Sequence, residues 1–366
     1  MALSKIRSDS LEDTAIHGNR NLIINGAMQV AQRGGSATTS NRTVDRFLNT
    51  YGDATITQSQ DTSVPANKGF SNSYKHEVTS ASSASGGFFG VLYKIEAQDI
   101  RNSGWDYTSA SSSITLSFFA KASVAGTYMC GLQTHDGTGQ VINTQYTLAA
   151  NTWKKITATF PGNSNVTIDN NNGNGLTVYL LKEFGGAYTS GSTFDAWAAY
   201  SSSAQSPDAN INLFDTANAT FFVTGVQLEV GEQETPFEHR SFGNELIRCQ
   251  RYTYVFNSQK INGEKSLCNL SKWSNGYAYG SFSYPIEMRT APSATIYNKT
   301  EFSVYIAGSV GQVSGSDTFG IGNQTTDIGE VYIECGEGST GQSGFMRKTG
   351  SASGTSSGYI VLDAEL

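Results

Sequence analysis

Charge is scarce in this chain. Of its 366 residues only 15% are Asp, Glu, Lys or Arg, against about a quarter in an ordinary soluble domain. The 24 Lys and Arg face 31 Asp and Glu, a formal net charge of -7. No basic cluster supplies the counterion release on which nucleic-acid affinity rests. No apolar run approaches the roughly 18 residues of a membrane helix. The opening MALSKIRSDSLEDTAI lacks the apolar stretch of about 7–15 residues that marks a secretory signal. The sequons at Asn165 and Asn298 are therefore read as accidents of composition. Cys and His are sparse, at 4 each. Cys130, Cys249, Cys268 and Cys335 contain no CxxC, and His17, His76, His135 and His239 lie far apart. This excludes a disulfide scaffold and a zinc module and leaves four free, mostly buried thiols. Pro is low at 6, and helices rich in Ala, Glu, Lys and Leu are absent.

What the chain does have is Gly (39), Tyr (18) and Phe (19). That many aromatics on so little charge excludes disorder. Short runs of β-branched and aromatic residues alternate with Gly, Asn, Ser and Asp clusters, the pattern of strands and turns. Examples are 21–32, 88–97, 113–122, 153–160, 176–184 and 220–230. In SITLSFFAKA, Ile114, Leu116, Phe118 and Ala120 face one way, the period of two of a half-buried sheet. In WKKITATF, Trp153, Ile156, Ala158 and Phe160 are assigned to a core. Strands following one another with no helical pattern between them predict an antiparallel β-sandwich of jelly-roll type.

RSFGNELIRCQRYTYVF (240–256) predicts a helix capped by Ser241, with Phe242, Leu246 and Cys249 on one face. Strand patterning resumes beyond it. The fold class is thus all-β. Residues 1–20 form an extended docking arm, 21–239 a jelly-roll sandwich, 240–252 a short connector helix, and 253–366 a second, smaller C-terminal β-sandwich.

Motifs with chemical meaning are weak. GEGSTG (336–341) matches a dinucleotide fingerprint, but no helix can follow it, so a hairpin loop is expected. GTSSG (354–358) surrounds Ser356 as a nucleophile elbow would, yet no His follows it. NVTIDNNNGNG (165–175) approximates a calcium loop with its glycine misplaced, so no cofactor is expected beyond a weak calcium site in an oxygen-rich loop. Asp53, Asp136, Asp169, Asp195 and Asp208 lie in loops, but nothing pairs two of them as glycoside hydrolysis requires. No short repeat marks a parallel β-helix.

Aromatics in polar loops remain. Sugar faces stack on exposed rings, so Trp197 and Tyr200 in the long loop 185–210, and Trp273, Tyr277 and Tyr279 in SKWSNGYAYG, are the glycan-binding candidates. Anchoring of a loop or a subunit contact is the competing role for Trp197 and Trp273. Trp105 is divided between core and surface.

Three segments carry a resemblance. NLIINGAMQVAQRG (21–34) with TVDRF (43–47), TGVQLEVGEQETPFEHRSFGNELIRCQRYTYVF (224–256), and YPIEMRTAPSATIYN (284–298) with the final DAEL (363–366) resemble modules of bacteriophage tail-fibre and appendage proteins. The resemblance implies a homotrimeric, non-enzymatic virion component with a carbohydrate-binding-like jelly roll. It would be assembled in the host cytoplasm and attached to tail or other virion proteins through residues 1–20. It would contact host cell-surface polysaccharide, with no nucleic acid and no membrane insertion. Arg240, Glu245, Arg248 and Arg251 would form a salt-bridged junction between domains or subunits. A head fibre, decoration or baseplate protein without receptor contact is the alternative, and a glycan-degrading tailspike the third.

Overall fold

The computed structural model describes residues 19–36, 39, 42–191, 193–208, 213–256, 265–274, 276–348 and 358–366. Most of the proposed arm and the GTSSG motif lie outside these residues. Among the described residues the chain is built almost entirely from antiparallel strands, and no helix is long and apolar enough to cross a membrane. It divides into two compact units. One holds the chain to residue 240, except 30–35 and 43–46, and the other holds those two segments with 241–366.

The first unit contains β1 (Phe47–Gly52), β2 (Thr55–Asp61), β3 (Ser73–Ser80), β4 (Phe88–Glu96), α1 (Ala97–Arg101), β5 (Ser113–Ala122), β6 (Gly126–Thr134), β7 (Gln140–Leu148), β8 (Lys154–Pro161), β9 (Asn174–Phe184), β10 (Ala198–Ala199) and β11 (Thr220–Val230). They form a five-stranded sheet, β2-β3-β11-β5-β8, and a six-stranded sheet, β1-β4-β9-β6-β7-β10. β5 shows why the sandwich forms: Ile114, Leu116, Phe118 and Ala120 are fully buried on its inner face. Tyr74, Tyr146 and Phe221 join them in an aromatic core, with Phe118 edge-on to Tyr146 at 5.7 Å. Burial of His76 among Tyr74, Phe89 and Phe221 pushes its pKa down to about 3, so the ring is neutral.

Two expectations are corrected here. Trp153 is half-buried rather than core. It has the opposite parity to Ile156, Ala158 and Phe160, which do face inward, and its ring meets Phe222 at 6.3 Å and the Lys121 ammonium at 5.4 Å. Residues 21–32 form no strand: Asn25 and Met28 take left-handed φ values of 61° and 56°, and the segment runs as turns beside β11.

The second unit begins with α2 (Phe242–Gln250), whose Ser241 hydroxyl accepts the Asn244 N–H. Its strands are β12 (Thr253–Phe256), β13 (Lys265–Lys272), β14 (Tyr277–Ser283), β15 (Ser293–Tyr297), β16 (Phe302–Ile306), β17 (Ser309–Gln312), β18 (Phe319–Gly322), β19 (Ile328–Glu334), β20 (Ser343–Lys348) and β21 (Tyr359–Asp363). A three-stranded sheet, β12-β21-β15, and a seven-stranded sheet, β17-β16-β20-β13-β14-β19-β18, enclose Leu270, Phe302, Val331, Met346 and Leu362. GEGSTG is not a hairpin loop. It joins β19 to β20, which lie three places apart in the sheet, and no helix follows it. All four cysteines are free thiols, and three of them are buried.

Candidate functional site

The segments that resemble fibre modules are used for folding. In the first unit, residues about 200 apart in sequence meet in one hydrogen-bonded cluster. The Asn21 amide group donates to the Val226 carbonyl at 3.1 Å and accepts the N–H groups of Ile23 and Leu228 at 3.0 Å each. The Glu238 carboxylate accepts the amides of Asn19 (3.1 Å) and Asn21 (2.9 Å). Burial raises the pKa of Glu238, but those amides and the Arg240 guanidinium outweigh it and hold the carboxyl below its usual range. Arg240 donates to the carbonyls of Asn21 (2.7 Å) and Ile23 (3.1 Å).

The second unit has an equivalent cluster. Asp45, whose carboxyl burial pushes above its usual range, accepts the Gln32 amide N–H at 3.0 Å and the Gln32 side-chain NH2 at 2.6 Å. Arg33 pairs with Asp363 at 2.9 Å. Arg46 lies 3.4 Å above the Tyr252 ring and forms an ion pair with Glu365, both side chains only 1% exposed. Of the other junction candidates, Glu245 is buried on α2, while Arg248 and Arg251 are half-buried. Arg251 carries the carbonyl that accepts the Arg289 N–H.

Trp197 and Tyr200 flank β10, which extends the six-stranded sheet beside β7, and the same loop brings Gln205 and Ser206 onto the Asn143 and Met129 side chains. The Asp195 N–H donates to the Asn143 carbonyl at 2.8 Å, the Tyr200 N–H to Gly139 at 2.7 Å, and the Asn143 side chain to the Gln205 carbonyl at 3.2 Å. The indole N–H of Trp197 donates to the Pro161 carbonyl at 2.7 Å, and Tyr200 remains 40% exposed. This sheet face holds an unusual cation. Lys182 is fully buried, its ammonium 3.0 Å from the Asn143 side-chain oxygen and 4.8 Å from the Tyr179 ring centroid. Burial alone pushes its pKa down to about 7.

Trp105 is buried, its indole N–H donating to Ser112 at 3.3 Å. In the loop proposed for calcium, the Asp169 N–H donates to Asp136 and the Gly173 N–H to Asn171. Among the described residues no three His, Cys, Asp or Glu side chains converge as a metal site.

Trp273, Tyr277 and Tyr279 lie in the second unit, at the turn from β13 into β14. Trp273 is 77% exposed. It lies two residues beyond Ser271 and so continues the outer face of β13. That face is open. Ser343, Ser271, Tyr279 and Tyr332 stand in register across β20, β13, β14 and β19. Val310, Tyr305, Phe345 and Asn269 form the adjacent row across β17, β16, β20 and β13. Rows two residues apart share a sheet face. The row between them, with Ile306, Gly344 and Leu270, faces the core.

The sheet makes a groove of about 950 Å³ on this face. Beneath it, on the core-facing row, two glycines let neighbouring strands approach closely: a Cβ at Gly280 would lie 2.1 Å from the Asn269 carbonyl oxygen, and one at Gly344 would lie 2.0 Å from that of Tyr305. Only glycine allows strands so close an approach. The rings of Tyr305 and Phe345 stack at 5.1 Å with planes 12° apart and wall the groove on one side. Arg347, two residues along β20, packs against that wall at 4.8 and 4.7 Å from the two rings. Tyr279, serine hydroxyls and Asn269 supply the floor, and Glu330 lies at the β19 side opposite Ser281. The β16–β17 turn, through Ala307 and Gly308, forms a rim.

Sequence reasoning placed Tyr279 on this site and Trp273 and Tyr277 beside it. It missed Tyr305, Phe345 and Glu330. The signal was present: EFSVYIAG and SGFMRK each put one aromatic on the polar phase of a strand.

No protein-family model matches the chain, and no curated protein matches it. Solved structures do. A family 11 carbohydrate-binding module of a cellulosomal cellulase from Clostridium thermocellum aligns with 55% of this chain and 98% of its own, at 13% identity and a TM-score of 0.29. A putative sugar-binding protein from Bacteroides thetaiotaomicron aligns with 58% of this chain and 100% of its own, at 11% and 0.32. A Stig cyclase from Fischerella sp. aligns with 57% and 96%, at 11% and 0.32. Nothing about the site or its ligand follows from likenesses this distant.

Proposed function

We propose that the protein is a non-catalytic glycan-binding protein and that a saccharide chain lies in the groove of the second unit. The observation that carries this is the lining: Tyr279, Tyr305 and Phe345 share one open face with Asn269 and several serine hydroxyls. Sugar rings have apolar C–H faces that stack on aromatic rings and a rim of hydroxyls that exchange hydrogen bonds with such groups. A volume of about 950 Å³ lies within the range of small-ligand sites, about 300–1,000 Å³. The groove holds one carboxylate, Glu330, among the described residues lining it. Glycoside hydrolysis uses two about 5–9 Å apart, which favours binding over cleavage. The test is titration of the full chain against a panel of oligosaccharides. Tyr305→Ala is expected to weaken binding about tenfold at an unchanged melting temperature. Wild-type affinity in that variant would overturn the reading.

The finer reading is a receptor-binding fibre of a phage-like particle. It is supported by the resemblance of residues 21–34 with 43–47, 224–256, and 284–298 with 363–366 to fibre modules. As a homotrimer docked through residues 1–20, the protein would present three grooves. Three linked weak sites gain avidity of about 100-fold to 10,000-fold. Light scattering should give three times the 39.2 kDa of one chain; a monomer at high concentration would remove the trimer.

A further inference from the structure

The groove is electrostatically one-sided. Among the described residues lining it, Glu330 carries the single carboxylate, and no Lys, Arg or His contributes. The side-chain amide of Asn323 donates to Glu330 Oε1 at 2.8 Å and orients the carboxylate. Oε2 has no hydrogen-bond partner among the described residues, although Glu330 is only half-buried and lines the groove. Directly opposite on β14 stands Ser281, which brings no charge. Arg347 packs against the Tyr305 and Phe345 rings and is not among the residues lining the groove. A ligand in the groove therefore meets a fixed anion and an open acceptor oxygen at the β19 end.

A carboxylate accepts hydrogen bonds and donates none. It attracts an ammonium, tolerates a hydroxyl and repels another carboxylate. Resting on the reading of the groove as a saccharide site, we infer that Glu330 sorts glycans by charge. Chains bearing free amino groups bind best, neutral chains next, and uronic-acid chains worst. The chemical class recognised is an amino-sugar polymer with unacetylated amines.

The test uses the full chain and three β-1,4-linked hexamers of glucose, glucosamine and glucuronic acid, so that only the substituent changes. Calorimetric titration at low salt should show the glucosamine hexamer binding about threefold to tenfold more tightly than the glucose hexamer. The glucuronic acid hexamer should bind at least about threefold more weakly than glucose by the same reasoning. The spread should shrink at high ionic strength. Glu330→Gln keeps the shape but removes the charge, and should bring the three affinities within about twofold of one another. Equal or tighter binding of the uronic acid chain, or a ranking that survives Glu330→Gln, overturns the inference while leaving the groove intact. Hexamers that bind wild type and Tyr305→Ala alike, or that do not bind at all, overturn the groove reading itself.

Discussion

The six-stranded sheet of the first unit and the seven-stranded sheet of the second treat their outer faces in opposite ways. The first is met by its own chain: the loop carrying Trp197 and Tyr200 adds β10 to the edge of β7 and brings Gln205 and Ser206 onto the Asn143 and Met129 side chains, beside the buried Lys182. Among the described residues nothing lies over the second, which shows Tyr279, Tyr305 and Phe345 among serines and an asparagine. Aromatic and polar groups occur on both faces. What makes one a candidate site is the absence of an internal occupant. An exposed polar–aromatic face keeps its stacking and hydrogen-bonding capacity for a ligand, whereas one met by its own chain has used it on the fold.

This comparison can be broken from either side, and the first face gives the largest effect. The Lys182 pKa falls from 10.5 to about 7 on folding. Between those values the unfolded chain binds a proton that the folded chain does not, so stability rises with pH across that window and is lowest, and level, below about 7. Lys182→Met removes this dependence. Chemical denaturation should find the variant gaining on wild type as pH falls from 10 to 7, by an order-of-magnitude ceiling of about 5 kcal/mol. A difference independent of pH would show that the amine is not buried.

The polar clusters come next. Arg46→Ala removes the ion-pair partner of the buried Glu365 and should cost about 3–5 kcal/mol, read as a lowered denaturation midpoint. Arg240→Ala should cost less, because Glu238 keeps two backbone amides and is more exposed, at 19% of its side-chain surface. The smallest effect belongs to the rim of the open face. Ala307 holds φ at 52° and Gly308 at 82° in the two-residue β16–β17 turn, which prefers Asn-Gly. Ala307→Asn should stabilise by about 0.5–1 kcal/mol, read as a raised denaturation midpoint.

The strands were legible where alternation was apolar against polar, as in β5 and β9, and so was the Ser241 cap of α2. β13, β17, β18 and β20 were not legible. They are short and rich in Ser, Asn, Gly and Gln, which read as loop composition until the sheet sets them side by side. The same composition is what makes the open face polar enough for a sugar, so the site hid for the reason that it is a site. Trp153 misled in the opposite direction: its size suggested burial, while its parity put it outside. Trp273 was legible as exposed because it sits between Lys272 and a Ser-Asn-Gly turn.

A low-charge, all-β chain and a short capped helix were readable from local sequence. Those properties follow from local periodicity and from residue types that act within a few positions. Tertiary structure alone decided that Asn21 meets Val226, that Arg46 meets Glu365, and that one sheet face is met by its own chain while another is open. These depend on pairing between strands tens to hundreds of residues apart. Alternation separates the two faces of a strand, but it carries no information about what comes to lie on either one.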